Sequence, residues 1–175
     1  MQLVQSLTCG FSGVLNGGDV KGHGAELEFV AQPVDAWRFN LSASYNHNRF
    51  ENVATGTSFQ DRERVPDAPE NNASVGAQYN FKVTDVWNGF ARADLIHVGN
   101  VITVVGVSDR AKQDAFELLN LRLGFERDAW SAELYGRNVT DERGVLTTNS
   151  NTSLGINQTL TRPREVGIEL RYTFR

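Results

Sequence analysis

The chain is poor in cysteine, in proline and in long apolar runs. Its one cysteine, Cys9, rules out an internal disulfide and a cysteine-based zinc site. Four prolines beside 16 glycines in 175 residues exclude a collagen-like or disordered chain. No stretch approaches the roughly 18 uncharged apolar residues of a membrane-spanning helix. The composition therefore predicts a folded, glycine-rich chain without a transmembrane helix.

Charged residues are not concentrated in any block. The formal net charge is -4, and without a basic cluster we expect no nucleic-acid partner. The three histidines, His23, His47 and His97, lack the spacing of metal ligands. No Ser-His-Asp set or carboxylate pair qualifies as catalytic. We therefore expect no catalytic residue, no metal, no cofactor and no enzyme activity.

The chain is instead rich in alternating segments. From Val166 to Phe174 every second residue is apolar, and the residues between them are small, polar or charged. Because side chains alternate across a β-strand, this segment is predicted to be a strand with one apolar and one polar face. The same pattern recurs upstream in segments 25–31, 37–46, 73–81, 91–95, 119–125 and 130–135.

Short and long connections between these segments alternate strictly. Short turns fall at 32–36, 84–85 and 127–128, and long loops fall at 51–69, 100–114 and 141–161. A meander of antiparallel strands then has all short turns at one end and all long loops at the other. The strands, at about ten residues, match the 9 to 11 residues that cross a bilayer at a tilt.

Most aromatic residues lie within a few positions of a short turn or of the C-terminus. They are Phe29, Trp37, Phe39, Tyr79, Phe81, Trp87, Phe90, Phe125, Trp130, Tyr172 and Phe174. A band of rings at one level is typical of a membrane–water interface, where one side of each ring is wet and the other apolar. The loops and the aromatics together favour a transmembrane barrel over a soluble antiparallel barrel or sandwich.

Two motifs near the C-terminus carry a family resemblance. Residues 133–142 read Glu-Leu-Tyr-Gly-Arg-Asn-Val-Thr-Asp-Glu, and residues 163–174 read Pro-Arg-Glu-Val-Gly-Ile-Glu-Leu-Arg-Tyr-Thr-Phe. This pair resembles the ending of TonB-dependent outer-membrane receptors, in which the penultimate strand ends in an Asn-Leu-Thr-Asp-like motif and the last strand runs from Pro-Arg to Arg-Tyr-x-Phe. The stretch 16–28, with Asn-Gly-Gly and then Gly-Ala-Glu-Leu-Glu, is similar to a strand entry of the same family.

The resemblance implies a 22-stranded barrel closed by an N-terminal plug domain. Such receptors import scarce ligands, among them iron–siderophore complexes, cobalamin and oligosaccharides, with energy delivered through TonB. This chain has room for about eight strands of roughly ten residues. We therefore expect residues 1–175 to be a single all-β domain, an antiparallel up-and-down segment from the C-terminal part of the barrel, without the plug. Met1 would then be an internal residue or a misassigned start.

Family topology further implies which surface each residue meets in the outer membrane of a Gram-negative bacterium. The short turns are expected in the periplasm and the long loops outside the cell. The expected lipid-facing residues are Trp37, Leu41, Val75, Leu121, Leu134, Ile168 and Leu170, and the expected lumen-facing residues are Arg38, Arg92, Glu133 and Arg171. Candidate ligand contacts in the extracellular loops are Arg62, Arg64, Asp109 and Arg110.

The C-terminal aromatics suggest an assembly role. Tyr172 and Phe174 resemble the signal read by the barrel assembly machinery, although Arg175 follows them. The expected partners are thus outer-membrane lipid, this machinery and, in a whole receptor, the plug and TonB. The fragment alone is not expected to transport a ligand. Two alternatives remain open, an autonomous eight-stranded outer-membrane barrel and a soluble lipocalin-like binding barrel.

Overall fold

The computed structural model describes residues 2–6, 12–105, 109–151 and 155–174. Within these ranges the chain is all-β, and no helix is long and apolar enough to cross a membrane. The strands are β1 Gln2–Ser6, β2 Ser12–Asn16, β3 Asp19–Val34, β4 Trp37–Glu51, β5 Asn71–Lys82, β6 Asn88–Val98, β7 Val101–Val105, β8 Asp109–Gln113, β9 Phe116–Arg127, β10 Trp130–Arg137, β11 Val145–Asn151, β12 Gly155–Leu160 and β13 Glu165–Tyr172.

Seven long strands form one antiparallel sheet in the order β13-β10-β9-β6-β5-β4-β3. Each strand pairs with its neighbour in this meander, as the alternating segments predict. The expected count of about eight strands is close to, but above, the seven of this sheet; β1 and β2 form a separate hairpin. Strands β3 and β13 lie at opposite edges, so the sheet is an open wall and not a closed barrel.

Two of the three long connections contain hairpins that the sequence did not indicate. Strands β7 and β8 pair within the 100–114 connection, and β11 and β12 pair within the 141–161 connection. These four strands are short and have no consistent apolar face. Alternation of apolar and polar residues therefore does not predict them. The third connection, the 52–70 loop, is irregular apart from one bridge between Arg49 and Arg64.

The two faces of the sheet differ in chemistry along its whole width. On the apolar face, one register row runs through Phe29, Leu41, Val75, Leu95 and Leu119. Large side chains on this face are open to the surroundings, Ile168 at 71% and Leu170 at 72% exposure. Among the residues whose burial the structure describes, the buried hydrophobic ones are Phe50 and Phe116, both near the long-loop end. The described chain therefore exposes an apolar face of its sheet and buries few hydrophobic side chains.

An aromatic belt crosses the apolar face at the short-turn end. Ring contacts run from Trp37 to Tyr79 at 4.8 Å, on to Phe81 at 6.0 Å and then to Phe125 at 6.4 Å. They resume between Trp130 and Tyr172 at 4.7 Å. This belt confirms the band of rings predicted from the sequence, with two exceptions. Phe29 lies in the register row of Leu41 and Val75, and Phe90 lies on the polar face against Gly124.

The belt crosses the strands obliquely. The register row of Trp37 reaches β13 at Ile168, through Tyr79, Ala91, Leu123 and Leu134. The belt itself reaches β13 at Tyr172, four positions farther along the strand. The strands are therefore tilted relative to the plane of the belt, as in outer-membrane barrels.

A hydrogen-bonded network on the polar face depends on Gly76, because glycine has no side chain to fill the space that the network occupies. The Arg92 guanidinium donates to Asp94 Oδ2 at 2.8 Å and to Asn40 Oδ1 at 3.0 Å. Gly76 is the register partner of both Asn40 and Asp94, and a Cβ at this position would meet Asn40 Oδ1 and lie 2.6 Å from Asp94 Oδ1. The network spans three strands because the middle strand has no side chain there.

Replacing Gly76 by alanine is expected to destabilise the sheet by about 1 to 3 kcal/mol, since overpacking displaces both polar partners of Arg92. Urea unfolding of the membrane-inserted chain measures this loss. Ser74→Ala removes a single hydroxyl pair, with Ser42 at 2.8 Å, on the same strand and face, so it is expected to cost about 1 kcal/mol or less. Equal effects of the two substitutions would contradict the network.

Candidate functional site

The polar face carries the four residues predicted to face a lumen. Arg38 and Arg92 share one register row with Gln78 and Arg122, so three guanidinium groups lie along it. Asp94 lies 3.7 Å from Arg122 and also binds Arg92. The row is therefore rich in positive charge with one carboxylate close by.

Glu133 and Arg171 occupy the same face on β10 and β13. Glu133 is the register partner of Glu169, and the Arg171 guanidinium donates to Glu169 Oε1 at 2.6 Å. Farther along β13, Gly167 leaves room for the Tyr135 ring, and the Arg137 guanidinium lies 4.7 Å from the centre of that ring. The polar face is thus a continuous charged and hydrogen-bonding surface.

At the long-loop end, Arg64 ties the 52–70 loop to the connection between β6 and β7. Its guanidinium donates to Asn100 Oδ1 at 2.6 Å and to the Ala68 carbonyl at 2.9 Å. Its side chain is 9% exposed and lies 3.8 Å from Glu70. In this position Arg64 braces the loop, and its charge is largely covered.

Arg110 makes a second link, between the β7–β8 hairpin and the 52–70 loop. It forms an ion pair with Glu63, donates to the Ser58 carbonyl at 2.8 Å and stacks 5.0 Å from the centre of the Phe59 ring. The other two predicted loop residues, Arg62 and Asp109, are exposed, and Arg62 has a positive φ of 68°. Of the four predicted ligand contacts, Arg64 and Arg110 therefore link the loops to one another, while Arg62 and Asp109 are exposed.

Burial raises the pKa of Glu63, but hydrogen bonds from Arg110 and from the Gln60 amide hold it below its ordinary value of 4.5. The link is thus fully present above about pH 4.5 and is lost as pH falls through the lowered pKa.

A spin label at position 55 is expected to become more mobile below pH 4.5. In Glu63→Gln the label should be mobile at every pH; an unchanged pH profile in that variant would contradict this link.

A cavity of about 440 Å³ lies where the three long connections meet. Thr103 donates to Asp67 Oδ1 at 2.7 Å, and Gln113 Nε2 donates to Thr103 at 2.8 Å and to Thr148 at 3.1 Å. These bonds join the 52–70 loop, the β7–β8 hairpin and strand β11. Gln113 is 4% exposed, and its Oε1 has no hydrogen-bond partner among the described residues. The residues of this chain of contacts were not predicted, because isolated polar residues in loops have no periodicity.

The turn after β10 joins that strand to the start of β13 through Asn138. This buried side chain donates to the carbonyls of Glu142 at 2.9 Å and Arg162 at 2.8 Å, and its Oδ1 accepts from the Glu142 amide at 2.9 Å. Asp141 accepts from the Arg164 amide at 2.8 Å, which is the main reason that its pKa is lowered. The two sequence motifs therefore meet as one structural joint.

The predicted assembly residues lie together at the other end of β13. The Tyr172 and Phe174 rings meet edge-on at 4.7 Å, and Phe174 is 87% exposed. Arg175 lies outside the described residues. No group of three or more His, Cys, Asp or Glu side chains that would hold a metal occurs in the ranges the structure describes.

The sequence matches the model of the family described as TonB dependent receptor-like, beta-barrel over residues 2–139. The chain belongs to this family. A tilted antiparallel wall with an aromatic belt is the architecture expected of it. The match confirms the all-β fold class and the Gram-negative outer-membrane location predicted above.

Solved receptors have the same fold. The ferric yersiniabactin uptake receptor FyuA from Yersinia pestis is 20% identical, with a TM-score of 0.80 over 93% of this chain and 25% of its own. The ferric preacinetobactin receptor BauA from Acinetobacter baumannii is 15% identical, with a TM-score of 0.71 over 98% and 25%. The ferric-catecholate import receptor Fiu from E. coli K12 is 19% identical, with a TM-score of 0.66 over 95% and 22%. The chain spans about a quarter of the length of these receptors.

Proposed function

We propose that this chain is part of a TonB-dependent receptor that takes up a ferric siderophore across the outer membrane. The family match supports a receptor barrel, and FyuA, BauA and Fiu are receptors for ferric yersiniabactin, ferric preacinetobactin and ferric catecholates. Cobalamin and oligosaccharides are the competing ligand classes. The observation that carries the proposal is the meeting of three long connections, around one cavity, at the end of the wall opposite the aromatic belt.

In this function the polar face lines the lumen and touches the plug of the whole receptor. Arg38, Arg92, Glu133 and Arg171 would supply that surface. Arg62 and Asp109, the exposed pair, are the stronger candidates for direct ligand contact, while Arg64 and Arg110 shape the loops. TonB would act through the plug.

The open sheet indicates whether the chain can transport a ligand by itself. A wall with β3 and β13 at opposite edges encloses no pore, so we propose that transport requires the rest of a receptor barrel. An autonomous eight-stranded barrel would need these edges to pair with each other. Tyr172 and Phe174 would recruit the barrel assembly machinery.

Deletion of the region encoding this chain in the source bacterium tests the proposal. Growth is measured under iron limitation with single ferric siderophores as the iron source, and separately on cobalamin and on oligosaccharides. We expect growth to be lost on one ferric siderophore and retained on the other nutrients. Growth on every siderophore, combined with loss on cobalamin or an oligosaccharide, would overturn the ligand class; growth on all of them would overturn the receptor function.

A further inference from the structure

A groove of about 590 Å³ opens on the apolar face, at the short-turn end, where the ring contacts of the belt are interrupted. It is lined by Trp87, Arg127, Asp128, Trp130, Ser131, Ala132 and Leu170. The lining is mostly apolar, with one cation and one carboxylate. A groove of this composition at the membrane–water boundary faces lipid, not a soluble ligand.

The two charged residues, Arg127 and Asp128, lie at the water-facing end of the groove. The Arg127 guanidinium is 3.4 Å from the Asp128 carboxylate and lies 5.9 Å from the centre of the Trp87 ring, an arrangement that keeps the arginine against the groove wall. Both charged side chains remain about half exposed or more. A headgroup with one negative and one positive group is complementary to this pair.

The apolar end follows the strands into the membrane. Ala132 is the register partner of Phe125 on one side and of Leu170 on the other. A small residue between two large ones leaves a channel along the strand, and an acyl chain fills such a channel better than it covers a flat surface. Trp130, at 57% exposure, stands at the boundary between the two ends.

We propose that this groove is a binding site for one glycerophospholipid whose headgroup carries a primary ammonium. The phosphate pairs with Arg127, the ammonium donates to the Asp128 carboxylate, and one acyl chain lies over Ala132. A trimethylated ammonium has no N–H to donate to Asp128. A glycerol headgroup brings no ammonium to Asp128, and its net negative charge is repelled by that carboxylate. The site depends on the outer-membrane location and not on which ligand is transported.

Fluorescence quenching by brominated lipids tests the site. The full chain is extracted from outer membranes in detergent as the Trp37→Phe variant, so that emission comes from Trp87 and Trp130. It is titrated with brominated phosphatidylethanolamine, phosphatidylcholine and phosphatidylglycerol. We expect half-quenching by the ethanolamine lipid at roughly a tenfold lower lipid fraction, equivalent to about 1.4 kcal/mol.

Three variants separate the contacts. Arg127→Gln is expected to weaken binding of all three lipids, and Asp128→Asn to abolish the preference for ethanolamine over choline while leaving phosphate binding intact. Ala132→Leu fills the channel and should reduce quenching by every lipid. Lys82→Gln, at the same end but on the polar face, is the matched control and should change nothing. Equal quenching by the three headgroups, unaltered by Arg127→Gln and Asp128→Asn, would overturn the proposal and indicate ordinary surrounding lipid.

Discussion

Replacing Leu121 by arginine is expected to block insertion of the sheet into the membrane or to destabilise it by about 2 to 4 kcal/mol, as a cation at the bilayer midplane does in transmembrane barrels. Leu121 lies on the apolar face of β9. It is midway between Glu117, at the long-loop end of the strand, and Phe125, in the aromatic belt. Leu121 is 43% exposed, so it has no protein core to support it. Folding yield in lipid vesicles and urea unfolding measure the effect.

The matched control places the same side chain on the same strand and face. Glu117→Arg puts an arginine at the membrane boundary, where the cost falls to about 0 to 1 kcal/mol. It also removes the pairing of Glu117 with His97 at 3.3 Å, a contact between exposed groups. If both arginine variants inserted equally well, the apolar face of β9 would not be in lipid.

Replacing Asn138 by alanine is expected to destabilise the chain by about 2 to 4 kcal/mol, because a buried amide that makes several hydrogen bonds leaves its backbone partners unsatisfied. Asn138 is 5% exposed and has a φ of 48°, a conformation that alanine adopts only with strain. The loss should appear first as weaker pairing between β10 and β13. Amide hydrogen exchange of residues 165–172 measures it directly.

Asn138→Gly separates the two causes. Glycine adopts the positive φ freely, so this variant should lose the hydrogen bonds but avoid roughly 1 kcal/mol of strain. Asn157→Ala, an exposed asparagine of β12, is the control and should stay within about 0.5 kcal/mol of the parent chain. Full stability of Asn138→Gly would show that the side chain does not join the two strands.

The strands of the wall were predictable because lipid on one side and polar groups on the other impose a strict period of two. Val166 to Tyr172 follow that rule residue by residue, and the register rows of the sheet keep it across every strand pair. The aromatic belt was predictable for the same reason, since rings collect where apolar and wet surroundings meet. Phe90 breaks the rule because it fills the space above Gly124.

The loops were less predictable, since their structure depends on single contacts between distant residues. Nothing in the sequence near Arg110 identifies Glu63 as its partner, 47 positions away. The hairpins β7–β8 and β11–β12 likewise have no repeating pattern of side chains. Asn138 was noticed as part of a motif, but its role as a joint between β10 and β13 required the geometry.

The central claim is that the apolar face of the wall meets lipid, and spin labels along β9 test it most directly. With Cys9 replaced by serine, single cysteines at positions 117 to 125 are labelled in outer membranes. Accessibility to oxygen, which concentrates in lipid, is then compared with accessibility to a water-soluble nickel chelate. We predict a period of two, with oxygen access high at positions 119, 121 and 123 and nickel access high at the positions between them. Odd positions shielded from both reagents, as in a dry protein core, would contradict the account.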